Sequence, residues 1–156
     1  MKKLLSILVI TCILFSMNSN IAKAQSTPTV SYEIEYISED LYIETIIIIH
    51  ENNTTRSTTT VSASKVSNIK NNDGDILTSF KLTGTFLYTH TSSWCSNASC
   101  TTTIYDDTWK FTSTSATKSG ISAIGSYTAA HYVLGVPIDS VSRNLSISCD
   151  AHGNVY

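Results

Sequence analysis

Past the apolar run at residues 4–15, which holds Cys12, the residues of this 156-residue chain with the most reactive side chains are Cys95, Cys100 and Cys149, the histidines at 50, 90, 131 and 152, and the adjacent carboxylates Asp106 and Asp107. A free thiol at Cys100 with His90 or His131 as its base would make a nucleophile–base pair. Asp106 or Asp107 would supply one carboxylate of an acid–base pair. Neither arrangement has its second partner at a spacing that fixes it, so no catalytic residue is expected, and a small secreted hydrolase built on Cys100, Asp106 or Asp107 stays the weaker alternative. The histidines show neither an i, i+4 pair on a helix nor His-x-His on a strand, and no metal or cofactor is expected. Asp73-Gly74-Asp75 matches a fragment of a calcium loop, but Ile69 and Ser79 stand where the loop needs carboxylates. A hairpin turn explains that segment better.

The aromatic residues point to binding rather than turnover. An exposed ring on a β-face stacks on a sugar ring while hydroxyl-bearing neighbours supply hydrogen bonds. Trp94, Tyr88 and Tyr105 are the expected ligand-binding residues, with Trp94 foremost because it follows a polar stretch, Thr89 to Ser93, where alternation does not force burial. Trp109 alternates with Phe111 and reads as core.

These side chains must be positioned by strands. Residues 25–41 read as a flexible or irregular leader, within which the acidic stretch from Glu33 leaves both an edge strand and a short helix open. The single domain is then expected over 42–156. Ile46 to Ile49 are four β-branched residues in a row, which reads as a strand buried on both faces or one awaiting a partner. Thr58 to Ile69 is polar and β-prone, and Asn71-Asn72-Asp73-Gly74-Asp75 supplies the turn after it. Phe80, Leu82, Gly84, Phe86 and Tyr88 then alternate with Lys81, Thr83 and Thr85, and Gly84 marks a bulge or a close backbone approach. Ile104 to Thr112 reads as a strand, Lys118-Ser119-Gly120 as a turn, and Ile121 to Ala129 as a strand with small residues on one face. Pro137 bends the path before a last strand with Val141, Leu145, Ile147 and Cys149 on one side. Six or more antiparallel strands predict an all-β fold, an antiparallel β-sandwich, with a small β-barrel as the alternative.

Composition agrees. Past residue 24 the chain holds 21 Ser and 21 Thr, residues of strands and turns, while two Pro and 14 aromatics in the whole sequence argue against a disordered stalk. Residues 1–24 read as a signal peptide: Lys2-Lys3, an apolar run from Leu4 to Phe15, and Ala22-Lys23-Ala24 before a cleavage point at Gln25. That run is too short for the ~30 Å hydrocarbon core of a bilayer, so no stable membrane insertion is expected after cleavage. The expected location is secreted and extracellular. Removing the segment takes Lys2, Lys3 and Lys23 and leaves seven basic against 12 acidic residues. A net charge of −5 excludes nucleic acid as a natural partner, because phosphate needs clustered Lys and Arg.

Gly84-Thr85-Phe86-Leu87-Tyr88, Cys95, Tyr105 with Trp109 four residues later, Ser115 to Gly120, and the closing Cys149-Asp150-Ala151-His152-Gly153-Asn154 together resemble small secreted β-domain proteins of Gram-positive bacteria that have no assigned activity. The resemblance covers roughly residues 76–156 and implies an extracellular β domain with one disulfide. It carries no functional residue with it, and Cys100 departs from its two-cysteine pattern. On chain entropy the Cys95–Cys149 loop would contribute about 4 kcal/mol against about 2 for Cys95–Cys100. The expected bridge is therefore Cys95–Cys149, with Cys100 a free thiol. The leading expectation is a non-enzymatic binding or surface-interaction module for an extracellular protein or a carbohydrate, with a bacteriocin-like or toxin-like effector as an alternative.

Overall fold

The computed structural model describes residues 30–50, 53–54 and 58–156; the expected signal segment 1–24 and leader residues 25–29 lie outside them. The strands are β1 (Val30–Tyr36), β2 (Leu41–Ile49), β3 (Asn53–Thr54), β4 (Thr59–Asn71), β5 (Ile76–Tyr88), β6 (Ser93–Ile104), β7 (Trp109–Ser119), β8 (Ser122–Val133) and β9 (Val136–Ser148). One sheet runs β1-β2-β4-β5-β6, with β3 paired to β4, and the other runs β7-β8-β9. Every ladder is antiparallel. The fold is the expected all-β sandwich. Among the described residues no ladder joins the two sheets, so it does not close into the alternative barrel.

The core follows from alternation. Phe80, Leu82, Phe86 and Tyr88 of β5 are buried against Ala123, Tyr127 and Ala129 of β8 and Val141, Leu145 and Ile147 of β9. The turn at Asn71–Asp75 forms as the sequence predicts, with Gly74 at φ 88° and its N–H donating to Asn71 O at 3.0 Å. At Gly84 the expected close approach is present, and the bulge lies beside it on β6, where Ser96 is the extra residue. The β5–β6 register shifts at Thr85/Phe86, and a Cβ on Gly84 would lie 2.6 Å from the Phe86 ring and 2.9 Å from the Ala123 Cβ of the facing sheet.

Three segments differ from the sequence reading. Val30–Tyr36 is no flexible leader. It pairs along its whole length with β2 and so belongs to the domain, and of the two structures left open for the acidic stretch the edge strand is the one that forms. Ile46–Ile49 has neighbours on both sides, β1 and β4, and is only partly buried because the smaller sheet does not extend over it. Ser93–Ile104, of which only Ile104 is expected in a strand, is a full strand that carries Trp94, and the strand expected to start at Ile104 begins only at Trp109. β6 escapes detection because its inward side chains, Cys95, Ala98 and Cys100, are small and its outward ones are mostly hydroxyls.

Replacing Gly84 by Ala forces a methyl against Phe86 and Ala123, and overpacking of this kind costs about 1–3 kcal/mol. Urea denaturation of Gly84→Ala is expected to show a lower midpoint with an unchanged slope.

Candidate functional site

The sandwich has two ends. The turns after β1, β4, β6 and β8 gather at one, which we call the hairpin end. The β5–β6 loop, the β7–β8 turn and the C-terminal segment gather at the other.

Cys95 and Cys149 lie at the C-terminal end, and Cys100 lies within β6. The backbone N–H of Cys95 donates to Gly120 O at 2.8 Å and that of Cys149 to Ile121 O at 3.1 Å, so the two residues flank one turn from either side. The fold thus brings together the pair that chain entropy favours, yet the expected Cys95–Cys149 disulfide is not formed: both are free thiols, as is Cys100. Each sulfur has a local acceptor instead, Cys95 Sγ–H donating to Asn97 O at 3.2 Å and Cys149 Sγ–H to Asp150 O at 3.4 Å. Burial pushes the Cys149 thiol up to about 11, with the Asp150 charge adding to the shift. Burial also raises Cys95, against the pull of the Asn97 backbone and Lys118. Buried, protonated sulfurs are poor nucleophiles. Cys100 lines the inner face of β6 opposite Leu82, and among the described residues no hydrogen bond joins it to a histidine. His131 stacks on Trp109 at 5.1 Å, His90 meets Tyr88 edge-on, and His50 hydrogen-bonds Ser64. Among the described residues no three His, Cys, Asp or Glu side chains converge on a point that could hold a metal ion.

The three aromatics singled out from the sequence do not form one site. Tyr88 is only 7% exposed, with its ring packed over Gly153, where a Cβ would come within 2.5 Å of it. Trp94 sits on the outer face of β6 opposite Leu87, in a strand and 41% exposed. Tyr105 is at the hairpin end, the far end of a 12-residue strand, or roughly 36 Å away at ~3.3 Å per residue.

Tyr105 has the better surroundings. Its N–H and that of Asp106 both donate to Leu77 O, at 2.9 and 3.1 Å, which fixes the β6–β7 turn against the start of β5. Asp106 Oδ1 accepts from Thr108 N at 2.8 Å and from Thr108 Oγ1 at 2.6 Å. Those two bonds hold the Asp106 carboxyl below the usual carboxylate range, helped by nearby His131, so Asp106 is a turn-forming acceptor and an unsuitable general acid at neutral pH. The adjoining turn is closed by Asn71, whose Oδ1 accepts from Asp75 N at 2.8 Å while its Nδ2 donates to Asp75 Oδ2 at 3.2 Å. Between the two turns lies an open depression of about 550 Å³ lined by Asn71, Asp75, Ile76, Leu77, Tyr105, Asp106 and Asp107. Tyr105 is 62% exposed at its margin. An available ring face beside fixed carboxylate and amide groups can hold a flat apolar surface and bond the hydroxyls around it.

Sequence reasoning missed Arg143. The alternation that turns Val141 and Leu145 inward also turns residue 143 inward, and a charge in that row is a legible signal. Its Nη2 donates to Glu35 Oε1 at 2.6 Å across the rim of the sandwich, beside a cleft of about 150 Å³ that also touches Glu33, Thr45 and Lys65.

Fold and depression together define an antiparallel two-sheet sandwich with an open depression bordered by tied turns at one end. Comparison with models of protein families, with curated proteins and with solved structures finds no match to this chain.

Because the Cys149 thiol is raised from about 9.0 to about 11, its thiolate fraction at pH 8 falls roughly 100-fold. Iodoacetamide labelling of Cys149 in the folded protein, followed by peptide mass spectrometry, is expected to be slow at pH 8 and to rise about tenfold per pH unit up to about 11. The unfolded chain releases that proton near 9, so this group's contribution to folding is full below pH 9 and is lost as pH rises toward about 11.

Proposed function

We propose that the protein is a non-enzymatic extracellular binding module and that the Tyr105 depression takes a carbohydrate. The observation that carries this reading is the pairing of an exposed aromatic ring with Asn71, Asp75 and Asp107 on turns already fixed by their own hydrogen bonds. Pre-organised groups lose little conformational freedom on binding, so even a shallow, open site gains useful affinity. The surface is ring-plus-acceptor, which suits a hydroxyl-bearing sugar face: carboxylates accept hydroxyl protons and the ring covers C–H groups. The extracellular setting rests on the signal-like segment 1–24, and the net acidity of the remaining chain favours neutral or amino sugars over anionic ones. Trp94 lies on a separate face and serves as the comparison site.

The test is a glycan array and a cell-wall pull-down with the chain from Gln25, beside Tyr105→Ala and Trp94→Ala. Tyr105→Ala is expected to weaken binding at least tenfold, the loss typical of a central aromatic contact, and Trp94→Ala to leave it within twofold. Binding lost with Trp94→Ala but retained with Tyr105→Ala would move the site to the outer face of β6. No glycan bound at all would sink the carbohydrate reading.

A further inference from the structure

The β8–β9 hairpin ends in Tyr132-Val133-Leu134-Gly135-Val136-Pro137-Ile138, a two-residue turn at Leu134–Gly135 flanked by apolar residues on both arms. Val133 is 45%, Leu134 100%, and Val136 and Ile138 each 60% exposed. Leu134 has φ 51° and Gly135 φ 81°. That left-handed turn favours Asn or Gly at its first position, and a branched apolar residue there is conformationally costly. The apex therefore carries a side chain that neither the turn geometry nor burial within the chain calls for. A cluster of this kind marks a contact surface.

Polarity is graded down the hairpin. Below the apolar apex, Tyr132 donates its N–H to Thr108 O at 2.7 Å, and Lys110 Nζ lies 5.0 Å from the centre of its ring. One step further, His131 stands opposite Asp139 and stacks on Trp109, with Asp106 close enough to feel its charge. Apolar tip, then an aromatic ring with a lysine, then charged groups: this is the order of environments met on leaving the hydrocarbon of a bilayer through its headgroups. Leu134 is fully exposed at the apex, which suits a fluid phase that needs no preformed pocket.

We infer that the β8–β9 hairpin tip is a membrane-interface wedge: Val133, Leu134 and Val136 enter the acyl margin of a lipid bilayer, with Tyr132 and Lys110 at headgroup level. The contact is reversible and interfacial, and among the described residues no helix is long and apolar enough to cross a membrane. Electrostatics do not drive it. Glu39, Asp73, Asp106, Asp107 and Asp139 all lie at this end of the sandwich, so a zwitterionic surface is the matching one and an anionic surface is repelled.

The test places an indole at the apex. Full-length Leu134→Trp is mixed with vesicles of phosphatidylcholine, some carrying a nitroxide quencher on the acyl chain, and compared with the wild-type chain, whose Trp94 and Trp109 supply the background. The expected result is blue-shifted emission, with the added signal quenched at least twofold and unchanged in 0.5 M salt. Adding Val136→Asn to Leu134→Trp should abolish the quenching. The wild-type comparison and the double variant separate the tip from any binding by the apolar run at residues 4–15. Leu134→Asn, which the turn favours, checks by circular dichroism that the hairpin tolerates substitution. An indole that stays unquenched on phosphatidylcholine overturns the proposal and leaves a protein pocket as the receiver. Quenching seen only with anionic lipid and lost in salt overturns it equally.

Discussion

How closely the two sheets can approach governs much else in this protein, and two glycines set that distance. Gly84 of β5 faces Ala123 of β8, and Gly125 of β8 faces Phe80 and Leu82 of β5, so that a Cβ on either glycine would come to 3.0 Å or less from an atom of the other sheet. Each sheet thus offers a backbone groove to the large side chains of the other, and Phe80 can stack on Tyr127 with ring centres 4.9 Å apart. At this separation the Tyr127 hydroxyl reaches Ser67 Oγ at 2.8 Å, which satisfies a phenol buried deep in the core; burial raises the pKa of that phenol, and the Ser67 bond opposes the rise. Close packing and polar satisfaction are one arrangement here. A wider gap would lose both.

Unequal sheet widths explain the surface. Five main strands face three, so β1 and part of β2 overhang the smaller sheet and their inner face meets solvent. Glu33 and Glu35 on β1 and Thr45 on β2 stand there, with Ile47 beside them. Arg143 reaches out from the edge of β9 to Glu35 and closes part of the overhang. Because both partners are substantially exposed, that ion pair orients the rim more than it stabilises the fold. On the outer face of the same strands Tyr32, Ile34 and Tyr36 are exposed, a consequence of a sheet whose second side has no layer over it.

Polar side chains that tie the turns therefore collect at the ends, where the chain must leave the ladders. Asn71 and Asp75 fix one turn, Asp106 and Thr108 the next, and both turns border the same depression. The groups that shape the turns are the groups that line the surface. At the opposite end the same economy works against reactivity: Cys95 and Cys149 serve the packing around Gly120–Ile121, and the burial that this requires keeps their thiols protonated.

The sequence by itself determined the class of fold, the Asn71–Asp75 turn, the inward rows of β5, β8 and β9, and the special role of Gly84, because period-two alternation and glycine punctuation are local properties that a chain displays before it folds. β6 was not legible. Its inward residues are small only because β7 and β8 come close there, and smallness alone does not separate a strand from a loop. The relation among Tyr88, Trp94 and Tyr105 likewise depended on the strand between them, which carries Tyr105 to the far end of the sandwich while Gly153 and the C-terminal turn cover Tyr88. Tertiary structure alone decided that Cys95 and Cys149 share a turn yet stay unbridged, that Arg143 meets Glu35 across 108 positions, and that Leu134 stands clear of every neighbour. Each of these is a distance between segments far apart in sequence. Such distances are set by how two particular sheets stack, which no local pattern encodes.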